Sequence, residues 1–290
     1  MTKLLKNINK ILFIAPALLL IVFLTMYPLV FSIVNSFRKY KLTQLDKVKF
    51  IGLDNYINIL KDKVFLTALL RSILLTVIII GIELLFGILI AIILSRSFKG
   101  HGIIRSILVL PLAVIPVVVG LTWKFMFLPE IGVINYILGL MGITGPIWLA
   151  DPIWSLVAVI IMDVWQWTPF MVIIILAGIL SQPKEVYEAA LVDGANTVSV
   201  TTKITIPLLK KVLGVVLLIR TADVFRTFDQ IWMLTQGGPG TSTQTLAVIT
   251  YQTAFNYSDL GKASAMSMIM LIILVVFVIL MLKKVDLLGD

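Results

Sequence analysis

The 290-residue chain is 60% hydrophobic with a mean hydropathy of +1.08, far from the composition of a soluble globular domain, and reads as an all-α polytopic membrane protein. The absence of cysteine excludes a disulfide framework or thiolate metal site, and the lone His101 excludes a histidine cluster, so no bound metal is expected. The net charge of +9 sits mostly in loops and tails, which points to contact with the lipid bilayer surface rather than to a nucleic-acid partner.

A spanning helix needs roughly 20 mostly apolar residues. Six stretches qualify, over about 11–37, 66–95, 103–127, 153–180, 207–233 and 263–282, and together they predict one transmembrane domain over 1–290. The first follows the basic tail Lys3, Lys6 and Lys10. It is too long for a signal-peptide core and lacks a small-residue cleavage site before Arg38, so it is read as retained. Between the first two spans, Arg38 to Phe65 is polar, and Gly52, Asp54 and Asn55 predict a turn into a short helix. His101 is expected in a solvated loop. Pro129 to Pro152 reads as an external re-entrant or surface segment, with Trp148 and Trp154 at interfacial depth.

Polar groups inside spans are expensive in lipid and usually face a partner or a cavity. The second span holds Glu83, and the fourth holds Asp163 followed by Trp165, Trp167 and a Thr-Pro step. In the fifth, Arg220, Asp223, Arg226 and Asp229 recur every third residue, so neighbours on the helix can pair. One reading makes this face a translocation path, with Phe225, Thr227, Phe228, Trp165 and Trp167 contacting a polyol ring. The other pairs the charges with a second subunit. After this span, Gly237, Gly238, Pro239 and Gly240 force an irregular backbone, tolerated at membrane depth only where it lines a cavity or is buried in protein, and a candidate outer gate. Ala263 and Ser267 have the small-xxx-small spacing of close helix packing.

The long polar segment 182–206 lies between two spans. Pro183 suits a first helical turn, with Glu185 and Glu188 near its positive end. Val186, Tyr187, Ala190 and Leu191 share one face. Gly194 predicts a left-handed stop, and Asn196 caps a second short helix running towards Lys203. The expectation is a helix-turn-helix bracket. Catalytic motifs are absent. Gly261-Lys262 lacks the upstream glycine of a phosphate-binding loop, so the chain is not expected to hydrolyse ATP or to be an enzyme.

Within the bracket, Glu188, Ala189, Ala190, Asp193, Gly194, Ala195, Ile204 and Pro207 match the E-A-A, G, I-x-L-P pattern, with Ile206 in place of the usual Leu. The segment resembles the cytoplasmic loop of permease subunits in binding-protein-dependent ATP-binding-cassette importers. K-F-I-G-L-D-N-Y is similar to a segment common in carbohydrate-type importer permeases, and L-T-Q-G-G-P-G-T-S-T-Q-T-L to a segment of the permeases for oligosaccharides, disaccharides and glycerol phosphate. The resemblance implies a six-helix, type I importer permease-like bundle in the cytoplasmic membrane, with both termini cytoplasmic. It implies a second, non-identical permease, two ATP-binding-cassette ATPase subunits that bind the ATP and Mg, and an extracytoplasmic solute-binding protein. Glu188 would anchor the bracket in the ATPase, Ala189 and Ala190 would allow close approach, and Gly194 would make the turn. Charge bias alone does not orient the chain, because Arg38, Lys39, Lys41, Lys47, Lys49, Lys61 and Lys63 crowd the first outer connection. An ion-coupled secondary transporter using Glu83, Asp163, Arg220 and Asp223 is the alternative. It would be expected to carry inverted repeats, and none is evident.

Overall fold

A computed structural model describes residues 2–96 and 98–285, and the side chains of 14–96, 98–183, 185–190 and 192–284. The side chains of Lys3, Lys6, Lys10 and Leu191 therefore lie outside the described set. In chain order the elements are α1 (Thr2–Ser36), β1 (Arg38–Lys39), β2 (Lys49–Phe50), α2 (Asp54–Lys61), α3 (Lys63–Ser95), α4 (His101–Val109) and α5 (Pro116–Met126). There follow α6 (Val133–Leu140), α7 (Pro152–Leu180), α8 (Lys184–Val192), α9 (Thr197–Val200), α10 (Ile206–Leu208), α11 (Lys210–Arg226), α12 (Asp229–Thr235), α13 (Leu246–Tyr251) and α14 (Leu260–Val285). They form two compact units, one running through Lys63 and joined by Thr250–Ile272, the other running from Val64 to Ile249 and joined by residues from Ile273 onward.

In the first unit α1 ends where its last carbonyls find side-chain donors. The Asn55 amide donates to the carbonyls of Ser36 (2.8 Å) and Arg38 (2.9 Å), and Tyr56 donates its hydroxyl to Ser36 Oγ at 2.7 Å. The G-L-D-N-Y segment thus fastens α2 to the end of α1. The all-α expectation misses an antiparallel ribbon, with Arg38 opposite Phe50 and Lys39 opposite Lys49, because two residues per strand are too few to show alternation. Gly261 and Lys262 are structural: the Gly261 amide donates to the Tyr40 carbonyl at 3.0 Å, and Lys262 Nζ pairs with Asp62 at 2.8 Å.

The second unit packs Leu75 and Ile79 of α3, Met162 and Ile175 of α7, Val216 of α11 and Leu234 of α12 into one core. Between helices surrounded by lipid, such contacts stabilise through close packing rather than water exclusion. The predicted span over 103–127 is bent by 97° between its two halves. Leu110–Ala113 tightens into a 3₁₀ turn containing Pro111, and Ile115 is extended ahead of Pro116, as the residue before a proline prefers. His101 opens α4 rather than lying in a loop. The predicted span over 207–233 is also broken, at Thr227–Phe228, into α11 and α12. Among the described residues, four helices are long and apolar enough to cross a membrane: Ile14–Ser36, Lys63–Ser95, Pro152–Leu180 and Leu260–Lys284. The bent pair makes a fifth if it is one span.

Trp148 departs from the interfacial expectation. It is buried, its Nε1 donates to Asn135 Oδ1 at 2.7 Å, and its ring packs on Phe127 and Trp154 at 4.9 and 5.1 Å. Trp154 remains exposed. Ala263 is buried, and Ser267 returns its hydroxyl to the Ala263 carbonyl at 3.1 Å.

Candidate translocation pocket and helical bracket

Arg220, on α11, is completely buried (0% exposed) and reaches across to other helices instead of pairing along its own. Its Nε donates to Glu83 Oε2 at 2.9 Å, and one terminal nitrogen donates to both Glu83 Oε1 and Asp163 Oδ1 at 2.7 Å. Gln230 of α12 closes the array by donating its amide to Asp163 Oδ2. The guanidinium lies 4.9 Å from the centre of the Trp167 ring, a cation–π contact. One Arg, two carboxylates, an amide and an indole therefore draw α3, α7, α11 and α12 to one point. Buried charges persist only when paired and hydrogen-bonded in this way. The Arg220 charge is met within the chain and needs no second subunit.

Trp167, Arg220 and Gln230 of this array line a pocket of about 460 Å³ together with Asp223, Arg226, Thr227 and Asp229, beside Pro116 and Phe228. Two buried polar atoms of the lining have no partner among the described residues: the second terminal nitrogen of Arg220, a donor, and Gln230 Oε1, an acceptor. On the rim Arg226 pairs with Asp223 at 2.7 Å, and Thr227 donates to the Asp223 carbonyl at 2.9 Å.

Of the residues the sequence proposes for a path, Trp167, Arg220, Asp223, Thr227 and Asp229 meet in this pocket, and Asp163 stands behind Arg220. Phe225 is buried away from the pocket. Trp165 is exposed and lies edge-on to Trp123 at 5.7 Å. Sequence reading misses Gln230, although the D-Q-I-W string carried the signal of a second uncompensated polar group beside Asp229. Gln230 is held close by Gly120, where any Cβ would lie 2.6 Å from the Gln230 carbonyl oxygen, so only glycine lets α12 approach α5 this far. Glu83 and Asp163, with Arg220 the groups an ion-coupled relay would use, are closed on one another through that Arg.

The bracket folds by local chemistry. Pro183 immediately precedes α8. At its end Gly194 takes φ +75, the Ala195 amide donates to the Ala190 carbonyl at 2.9 Å, and the Asp193 amide donates to the Ala189 carbonyl at 3.0 Å. This six-to-one closure is how a glycine in the left-handed region satisfies the last carbonyls of a helix. Asn196 then caps α9 by accepting the Ser199 amide at 2.8 Å, and Thr201–Thr205 continues as a π turn into α10. Glu188, Ala189, Asp193, Gly194 and Pro207 are exposed, Ile204 is half-buried and Ala190 is buried. Two valines flank the turn uncovered, Val192 at 88% and Val198 at 69% exposure.

Of the turn proposed as an outer gate, Gly237 is buried, Gly238 and Pro239 are half-buried and Gly240 is exposed. Thr243 donates to the Gly238 carbonyl at 2.9 Å, and Ser242 and Ser155 share a hydrogen bond at 3.0 Å. The segment that follows is tied to α3, where Arg71 donates to the Gln244 carbonyl at 3.0 Å and Ser72 Oγ accepts the Leu246 amide at 2.8 Å. Among the described residues no group of three or more His, Asp or Glu side chains could hold a metal ion.

Four described helices of membrane length, two of which, α3 and α7, contribute carboxylates to a buried ion-paired array, define a polytopic membrane protein. Residues 83–285 match the binding-protein-dependent transport system inner membrane component family, and the chain belongs to that family. The trehalose/maltose transport system permease protein MalF of Thermococcus litoralis is 36% identical over 241 residues, covering 83% of this chain and 81% of that one. The sulfoquinovosyl glycerol transport system permease protein SmoG of Agrobacterium fabrum is 35% identical over 260 residues (90% and 84%). The trehalose transport system permease protein SugA of Mycobacterium tuberculosis is 34% identical over 257 residues (88% and 81%). The fold is similar to that in the crystal structure of a bacterial ABC transporter involved in import of the acidic polysaccharide alginate, with a TM-score of 0.83 and 21% identity over 99% of this chain and 100% of that one. It is also similar to the alginate transporter in complex with an alginate pentasaccharide-bound periplasmic protein, with a TM-score of 0.79 and 23% identity over 95% and 94%.

Proposed function

We propose that this chain is one of two permease subunits of an ATP-driven importer that moves a sugar or related polyol across the cytoplasmic membrane, and that the pocket beside Arg220 lies on its path. The observation that carries the reading is the pair of unpartnered buried atoms beside an aromatic ring: the free Arg220 nitrogen and Gln230 Oε1. A buried donor and acceptor left unmade are costly, and vicinal hydroxyls supply both partners while a sugar's C–H face covers Trp167. The names of the relatives, which refer to trehalose, maltose and sulfoquinovosyl glycerol, support a carbohydrate cargo. In this reading the two broken segments each count as one span, making six in a single domain, with both termini cytoplasmic. The second permease is non-identical, two ATPase subunits bind the ATP and Mg, and a solute-binding protein delivers sugar to the outer mouth near the Gly237–Gly240 turn. The bracket inserts into an ATPase through Glu188, Ala189 and Ala190.

Trp167→Leu tests the pocket. Removing the ring is expected to raise the half-saturating sugar concentration for uptake about tenfold, from loss of roughly 1–2 kcal/mol of ring contact. An unchanged value for each transported sugar would remove the pocket from the path. Orientation is tested separately, because the chain has no cysteine. A single cysteine at Ser199, probed with an impermeant maleimide, is expected to label only after membranes are opened. Labelling of intact cells would place the bracket outside, out of reach of any ATPase.

A further inference from the structure

The first unit carries two adjoining pockets that share no lining residue with the pocket beside Arg220. Along α1, Tyr27, Val30, Phe31 and Val34 form one wall of a groove of about 560 Å³, and Leu45 and Val48 of the ribbon turn form another. Val48 also borders a second pocket of about 400 Å³ ringed by Lys39, Lys41, Lys47 and Lys49, with Asp46 as the carboxylate in its lining. Among the described residues none of these four lysines forms a salt bridge. Leu45 (62%) and Phe50 (75%) stand exposed among them. Tyr27 lies nine residues before Ser36, the end of α1, so the groove runs roughly 14 Å down the helix from its end.

A soluble anion would use the lysines and leave the apolar groove empty. An acidic protein surface would meet the lysines but would not descend along a membrane-length helix. An amphiphile with a negative head and a hydrocarbon chain fills both parts at once, because basic residues mixed with exposed apolar ones attract anionic headgroups at the interface. We propose that this chain binds an anionic phospholipid, with its phosphate among Lys39, Lys41, Lys47 and Lys49 and an acyl chain against Tyr27, Phe31 and Val34 of α1. The site holds the ribbon down onto α1 and makes the first unit sensitive to the acidic lipid content of its leaflet.

The test uses the complete transporter purified through this chain and placed in nanodiscs, with a bimane fluorophore on Val34→Cys. Brominated phosphatidylglycerol is expected to quench at least threefold more than brominated phosphatidylcholine at equal mole fraction. Each lysine is expected to contribute up to about fivefold to the preference. Replacing the four lysines by Gln should erase it, and replacing them by Arg should preserve it. Inorganic phosphate at matched ionic strength should leave the quenching unchanged, and displacement by phosphate would reduce the site to an anion pocket and overturn the lipid. Equal quenching by both lipids would overturn the proposal. So would quenching by neither, which would show the groove covered by another protein helix.

Discussion

Arg220→Met is expected to remove about 3–5 kcal/mol of stability, the range for breaking a buried ion pair by deleting one partner. The size follows from what is left behind. Glu83 and Asp163 are both buried and share this one guanidinium, so its loss leaves two carboxylates facing each other with only the Gln230 amide between helices. Arg220→Lys keeps the charge but not the planar fork that serves Glu83 through two nitrogens and Asp163 through one, so it should recover only part of the loss. Removing every charge together, in Glu83→Gln with Asp163→Asn and Arg220→Met, should restore much of the stability lost in the single variant, because the cost lies in uncompensated charge rather than in missing contacts. Thermal unfolding followed by size-exclusion chromatography in detergent measures all three. A single variant as stable as the parent would mean that the array does not hold the four helices, and a triple variant worse than the single would mean that packing, not charge, sets the cost.

The parts of this protein that were legible in the sequence are those decided within a few residues. Gly194 and Asn196 give away the bracket because a left-handed stop and a side-chain cap are local events, and the apolar runs of α1, α3, α7 and α14 give away themselves by length. The breaks were harder. Pro111 and Pro116 are visible signals, but a run that keeps its hydropathy across them reads as one span until its bend is seen. The fifth stretch carried a plain warning in Arg220, Asp223, Arg226 and Asp229, yet nothing local says that Arg220 turns away from Asp223. Its partner Glu83 lies 137 residues away, brought there by the packing of α3 and α11 into one shared core, which no periodicity encodes. Trp148 fails for a related reason. An indole suits an interface by its amphipathic character, but Asn135 satisfies its N–H inside the protein and removes the need for water.

Gly194→Pro is expected to abolish sugar-stimulated ATP hydrolysis while leaving membrane insertion intact, and the reason lies in the backbone alone. A Cβ built on Gly194 meets nothing within 4 Å, so no collision forbids a larger residue there, and the constraint is φ +75. Ala or Asn at this position pays about 1–2 kcal/mol for the left-handed conformation, least for Asn, and should keep the turn and most of the stimulation. Proline cannot reach that angle, because its ring fixes φ near −65°. The closure from the Ala195 amide to the Ala190 carbonyl must then open, and α9 must leave α8 in a new direction. In the proposed mechanism the ATPase cleft receives α8 and passes its motion through the turn to α10 and α11, the helix that holds Arg220. Motion of this kind is transmitted only by elements with a defined packing. Redirecting α9 should therefore uncouple the ATPase from the pocket without touching any group in either. Stimulated hydrolysis at the parent rate in the Pro variant, with the Ala variant also at the parent rate, would show that the turn carries no coupling and would leave Glu188, Ala189 and Ala190 as a docking surface only.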